Sequence, residues 1–204
     1  MLDIDSNLVA NRLKSLGAEL LLDQVTTIDW YEFGGKDITV LDKALLTRSV
    51  VSKIRIFFQA RSTTNIGDSG GFFRLRKQDA YDLTFKYKAE KKLGNIINPF
   101  CEFEQKIDDS KVSVIKSELS ALNFFIKAHH EKKRVSFLYK GIRFDIDTWP
   151  GLPSYIEIEA PKPEDVYWGV RLLGLQNHEI SEDSGQKLFN KYNKNFWSNL
   201  YFPS

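Results

Sequence analysis

The sequence predicts an α+β fold in which a sheet of antiparallel strands is covered by a few amphipathic helices. Two observations predict it. Six short stretches carry paired ionic residues at i and i+2: Arg74/Arg76, Lys86/Lys88, Glu102/Glu104, Lys132/Arg134, Asp145/Asp147 and Glu157/Glu159. Their alternate positions hold Phe, Leu, Tyr, Val or Ile. Side chains alternate between the faces of a strand, so each stretch has one ionic and one apolar face. Three other stretches, 6–17, 110–122 and 163–173, repeat apolar residues at helical spacing and need an apolar surface to cover.

Each element has its own local reason. In 6–17, Ser6 can cap, Leu8, Val9, Leu13 and Leu16 form the stripe, and Gly17 can end the helix. Glu19 to Phe33 reads as a strand or two, ending in the aromatic run from Trp30 and broken at Gly34-Gly35. Val40 to Gln59 fits a helix or a hairpin, and Ser62 to Gly71 reads as a loop long enough to be a lid. Strands follow at Phe72–Arg76, Leu83–Lys88 and Phe100–Lys106, with a turn near Gln78-Asp79 and a loop carrying Gly94, Asn95 and Pro99. Ser110 can cap the next helix, with Val114, Ile115, Leu119 and Leu122 as its stripe. After the Lys132–Phe137 strand comes a hairpin over Asp145–Glu159, turning at Trp149-Pro150-Gly151-Leu152-Pro153. Pro163 opens a helix that Gly174 ends, a last helix covers 184–194, and the tail is aromatic and irregular.

At 204 residues the chain suits one domain, 1–204, with a real core. A net charge of +2 supplies no global field for nucleic acid. The single Cys101 excludes a disulfide framework and any multi-cysteine zinc site. No apolar run reaches transmembrane length, and Met1–Asn7 lacks the features of a signal peptide. The expectation is a soluble cytoplasmic protein, without nucleic-acid or membrane partners, as a monomer or homodimer.

The Asp145–Glu159 hairpin sets four carboxylates on what can be one surface. Unneutralised, they repel and raise each other's pKa, so a basic side chain, a divalent metal or bulk water must lie among them. Two arrangements accommodate the strands. Either the apolar faces form a barrel core and the charges face water, or the charges line a wet lumen and helices cover the apolar faces. Two details favour the second: basic and acidic pairs are segregated by strand, and the helices are clearly amphipathic. A basic wall facing an acidic wall has a chemical use. Arg and Lys bind phosphate oxygens, while carboxylates hold Mg²⁺ or Mn²⁺ that bridges to the phosphates.

Five stretches in order resemble the CYTH superfamily, the triphosphate tunnel metalloenzymes, which includes class IV adenylyl cyclases, thiamine triphosphatases and inorganic triphosphatases. They are Phe73-Arg74-Leu75-Arg76, Leu83-Thr84-Phe85-Lys86, Glu102-Phe103-Glu104, Lys132-Lys133-Arg134, and Asp145 to Leu152 followed by Tyr155 to Glu159. The resemblance implies an antiparallel eight-stranded tunnel that binds a small-molecule triphosphate (ATP, thiamine triphosphate or tripolyphosphate) with Mg²⁺ or Mn²⁺. It implies phosphate contacts from Arg74, Arg76, Lys86, Lys88, Arg134 and Lys187, with Lys86, Arg134 and Lys132 acting in the chemistry. Glu157 and Glu159 are then metal ligands. Glu102, Glu104, Asp147 and Asp145 are metal-linked or position basic residues. Lys187, near Tyr192, matches a C-terminal segment that closes the tunnel. The chain departs from the family at its start: Met1-Leu2-Asp3-Ile4-Asp5 precedes the first helix where the family carries a Glu-x-Glu-x-Lys strand.

Other constellations are weaker. His129-His130 and His178 are not spaced as a metal set and read as surface residues. Gly67, Gly70 and Gly71 lack the Gly-x-x-x-x-Gly-Lys pattern of a phosphate loop. Three expectations stand: metal-dependent attack on a triphosphate, a non-catalytic polyphosphate-binding module, and a structural domain with solvated charges.

Overall fold

The computed structural model describes residues 3–34, 72–88, 100–121, 123–180 and 185–203, so the expectations for 36–70 and for the loop of 89–99 lie outside the described residues. The strands are β1 (Glu19–Phe33), β2 (Phe72–Lys77), β3 (Tyr81–Lys88), β4 (Phe100–Ile107), β5 (Phe124–Tyr139), β6 (Ile142–Thr148) and β7 (Tyr155–Glu159). The helices are α1 (Ser6–Ser15), α2 (Val112–Ala121), α3 (Pro163–Leu173) and α4 (Gly185–Lys191), with a 3-10 turn at Asp109–Lys111 before α2. The strands form one sheet in the order β4-β3-β2-β1-β5-β6-β7. The expected eight-stranded closed tunnel is corrected on both counts among the described residues. The strands number seven, and β4 and β7 are the ends of an open order. No helix among the described residues is long and apolar enough to cross a membrane.

Ile4 donates one backbone hydrogen bond to the Ser154 carbonyl at 3.0 Å, but Asp5 then turns the chain into α1. Its carboxylate accepts from the amides of Asn7 and Leu8, both at 3.0 Å, so Asp5 is the helix cap in place of Ser6. An analogous correction applies ahead of α2. Asp108, not Ser110, caps there by accepting from the Ser110 amide at 2.9 Å. Its two bonds from Ser110 hold the Asp108 carboxyl below the usual carboxylate range.

Contacts divide the chain into two compact units, Met1–Thr26 with Glu131–Ser204, and Thr27–His130. In the first unit the apolar faces of β5, β6 and β7 present Phe137, Phe144, Ile146 and Ile156 to Val9 and Leu13 of α1 and Val170 and Leu173 of α3. Gly169 lets α3 approach closely: a Cβ there would meet Phe144 Cε1 at 3.1 Å and Ile158 Cγ2 at 3.2 Å. Arg12 Nε donates to the Leu172 carbonyl at 2.7 Å and ties α1 to α3. Pro163 and a left-handed Gly174 bound α3 as expected. The aromatic tail is pinned to β5, since the Glu131 amide donates to the Leu200 carbonyl at 2.8 Å and the Phe202 amide donates to Glu131 Oε2 at 2.7 Å.

In the second unit Phe73, Leu75, Leu83 and Phe85 are buried, and the Phe73 ring packs 5.2 Å from that of Phe124. Lys116 of α2 reaches Asp29 of β1 at 2.7 Å, while Val112 and Leu119 of the helix are buried.

If the core of the first unit lies under α1 and α3, Phe144→Ala lowers its stability by about 3–5 kcal/mol. Leu138→Ala, at a side chain 36% exposed, lowers it by under about 1 kcal/mol. Urea unfolding of both variants checks this; equal losses would contradict the assignment of faces.

Candidate functional site

The hairpin of β6 and β7 places Asp145 opposite Glu157 and Asp147 opposite Tyr155, while β5 sets Arg134 opposite Asp147 and Ser136 opposite Asp145. Like charges directly opposite on a sheet destabilise it. Arg134 resolves this. Its Nε donates to Asp147 Oδ1 at 2.6 Å and its Nη1 to Asp145 Oδ2 at 2.7 Å. Its Nη2 donates both to Asp147 Oδ2 at 2.5 Å and to Glu157 Oε2 at 2.8 Å. Lys132 Nζ adds a 2.8 Å bond to Asp147 Oδ2, and Arg143 Nε donates to Asp145 Oδ1 at 2.9 Å. Lys132 also lies 5.4 Å from the Trp149 ring centroid, whose Nε1 donates to Tyr155 Oη at 3.0 Å.

This ionic face is buried, whereas the apolar faces of the same strands carry the helices. Arg134 is 8% exposed, Lys132 5%, Asp145 1% and Asp147 0%. The Glu157 side chain differs at 45% exposed. Three cations (Lys132, Arg134, Arg143) meet three carboxylates (Asp145, Asp147, Glu157), so the cluster balances. Asp145 and Asp147, expected among metal ligands or as positioning groups, have their oxygens engaged by basic side chains. Ser136 Oγ is buried with no hydrogen-bond partner, which costs on the order of 1–3 kcal/mol.

The electrostatics follow from that burial. Burial pushes the Asp147 carboxyl up, but Lys132 and Arg134 together outweigh it and hold the group below its ordinary range. Burial pushes the Lys132 ammonium down to about 8, with Asp147 and Glu157 opposing and Arg134 adding to the shift. The pair is ionised at neutral pH, because Lys132 and Arg134 both hold the Asp147 carboxylate charged and the Lys132 ammonium still lies above neutrality. Burial opposes the charge of Arg134, yet its bonds to Asp147 and the nearby Glu157 and Asp145 keep it protonated. Burial, then the charges of Asp147 and Glu157, raise the Tyr155 phenol well above its usual value.

The second unit holds its own ionic face. Arg76 Nε donates to Asp82 Oδ2 at 2.9 Å and its Nη2 lies 3.5 Å from Glu104 Oε2. Thr84 Oγ1 donates to Asp82 Oδ1 at 2.9 Å. Arg74 stands over the Trp30 ring at 5.9 Å, and Trp30 Nε1 donates to His130 Nδ1 at 2.8 Å. Glu104 therefore sits beside a basic residue, as one of its two expected roles requires. The reading of the histidines as surface residues is corrected for His130, which is 0% exposed and accepts at Nδ1. His129 Nδ1 pairs with Asp29 Oδ1 at 2.6 Å. Lys86, Lys88 and Glu102 lie on β3 and β4, with Lys86 opposite Glu102, but their side chains are outside the described residues. Glu159 and Lys187 are exposed, on β7 and α4.

Asp82 was not named from the sequence, and Trp30, His130 and Tyr155 were named without a role in the site. Asp82 shares the period of two with Thr84 and Lys86, so alternation alone could have found it. The others needed cross-strand partners.

Lys132 yields a prediction with a definite sign. Its folded pKa, about 8, lies below the unfolded value of about 10.4. Between these values the unfolded chain binds more protons, so stability rises with pH and falls back as pH drops through the folded pKa. Urea unfolding across that window shows a steeper rise for the native chain than for Lys132→Met; equal slopes would contradict a Lys132 ammonium pushed down by burial.

No family model matches the sequence, and no curated protein matches it. Solved structures do. A candidate adenylate cyclase from Vibrio parahaemolyticus superposes with a TM-score of 0.62 at 12% identity, over 93% of this chain and 94% of that one. A candidate adenylyl cyclase from Hippeastrum, with a dominant triphosphatase activity, superposes at 0.56 and 14% identity over 95% and 93%. A protein of Pyrococcus horikoshii gives 0.59 at 14% identity over 92% and 95%. At such identities the likeness is one of fold alone.

Proposed function

We propose that this protein binds a triphosphate together with Mg²⁺ or Mn²⁺ and carries out phosphoryl chemistry on it. The observation that carries the reading is the buried pair of Arg134 and Lys132, held on the sheet face opposite the one that packs against α1 and α3. A fold that also hosts candidate adenylate cyclases, one with triphosphatase activity, supports it. ATP, thiamine triphosphate and tripolyphosphate are the candidate substrates.

The donor chemistry suits a hard cation in one place. Glu157 and Glu159 are oxygen donors two residues apart on β7, both exposed. Mg²⁺ commonly takes one or two carboxylates, several waters and substrate phosphates, so this pair fits it. Asp145 and Asp147 fit positioning instead, since they hold Arg134 and Lys132. When bound, the cation would neutralise charge on the phosphates. The chain's own part is to grip and orient. Arg74, Arg76, Lys86, Lys88, Arg134 and Lys187 would contact phosphate oxygens, with Glu104 and Asp82 orienting Arg76. Lys132 and Arg134, rigidly placed, would offset charge that builds as the bridging P–O bond breaks. Attack by water on the terminal phosphorus gives a triphosphatase; attack by a ribose hydroxyl on the α-phosphorus gives a cyclase.

One observation favours a second reading, a tunnel-like module that binds polyphosphate without turnover: the oxygens of Asp145 and Asp147 are engaged by Lys132, Arg134 and Arg143. Release of phosphate or pyrophosphate from the three candidates, with Mg²⁺ or Mn²⁺, separates the readings. Arg74→Ala weakens tripolyphosphate binding by about 2 kcal/mol, roughly thirtyfold, by calorimetry. No heat from any candidate would overturn both readings.

A further inference from the structure

The carboxylates on Arg134 are not equivalent. Asp147 grips the guanidinium through two bonds and is 0% exposed as a side chain, and Asp145, at 2%, is also held by Arg143. Withdrawing either leaves a buried charge unpaired, which is costly. Glu157 grips it through one bond from a side chain that is 45% exposed. Its carboxylate can rotate into water at little desolvation cost, so this contact alone is cheap to exchange.

The charge balance makes that exchange consequential. A guanidinium has five N–H groups, and four of those on Arg134 already meet carboxylate oxygens. With Lys132, Arg134 and Arg143 matched by Asp145, Asp147 and Glu157, a bare polyanion meets no surplus positive charge here. The fifth N–H of Arg134, on Nη1, can give a phosphate oxygen one bond, but a two-pronged grip on phosphate needs Glu157 to withdraw. Glu159 stands two residues along on the same face of β7, exposed, where the withdrawn carboxylate can share a cation.

Resting on the triphosphate reading above, we propose that Glu157 is a built-in stand-in for the ligand. It occupies the Arg134 donor that a phosphate oxygen takes, and a divalent cation releases it, so cation and anion load the site cooperatively. The ligand is then a metal-complexed polyphosphate, and the metal-free polyanion binds poorly because it competes with Glu157. By linkage, the anion also raises cation affinity by the same factor.

The test is calorimetry on the full chain with a methylene-bridged, non-hydrolysable tripolyphosphate, with and without Mg²⁺, plus Mg²⁺ alone. For the native chain Mg²⁺ raises anion affinity about tenfold or more, within the usual span of coupled sites. Glu157→Gln binds the metal-free anion about tenfold tighter than native and loses most of the Mg²⁺ effect. Glu157→Asp keeps the charge but falls short of Arg134 by a methylene, and it also tightens metal-free binding. Glu164→Gln, which removes an exposed charge on α3 away from Arg134, changes metal-free affinity by less than about threefold. An equal gain in Glu157→Gln and Glu164→Gln means a general charge effect and overturns the proposal, as does no gain in either Glu157 variant. If the native chain binds the analogue but these differences are missing, only the exchange fails. If it binds nothing with or without Mg²⁺, the triphosphate reading fails with it.

Discussion

The grip of Arg134 on Asp147 organises this sheet. Four carboxylate-bearing positions on two adjacent strands are tolerable only with a cation placed among them. A bidentate guanidinium suits that task better than a lysine because its geometry is planar and fixed. Burying these ions is costly, so the cluster is poor evidence of stability for its own sake. Its effect is to specify which face of β5, β6 and β7 is ionic. A slip of one residue in register would send Phe137, Phe144 and Ile156 into the charges and Arg134 under the helices. Helix packing and ion pairing therefore enforce the same register from opposite sides of the sheet.

Much of this was legible in the sequence because strand alternation is strict. The Asp145–Glu159 hairpin, the ionic faces and helix α3 all follow from spacing, with Pro163 and Gly174 marking the helix ends. The chain's own turn chemistry hid other features. Asp5, one residue before Ser6, and Asp108, two residues before Ser110, take the cap positions because their carboxylates accept from the first amides of each helical turn. The first half of β5, Phe124 to Glu131, departs from alternation with consecutive exposed Phe125 and Ile126, so its strand character was invisible. His130 looked like a surface residue because its partner, the Trp30 indole, is a hundred residues away in sequence. Closure was expected from the strand pattern and the count of eight from the resemblance, and the described strands supply neither.

The ionic residues separate by role along the same lines. Short aspartates (Asp82, Asp145, Asp147) lie deep in the sheet and hold arginines or a lysine in place. Longer glutamates (Glu104, Glu157, Glu159) reach toward solvent, where exchange with a ligand is inexpensive. In the first unit this gives fixed cations and an adjustable glutamate, in a cluster that is neutral at rest.

The most direct measurement of this account is the arginine Nε–H region of a proton–nitrogen NMR spectrum. A guanidinium clamped by two buried aspartates gives a sharp, slowly exchanging signal at neutral pH that disappears in Arg134→Lys and shifts when Mg²⁺ and tripolyphosphate are added together. If every arginine Nε–H exchanges at the rate of a solvated side chain, the clamped ionic face does not exist in solution and the functional reading built on it fails.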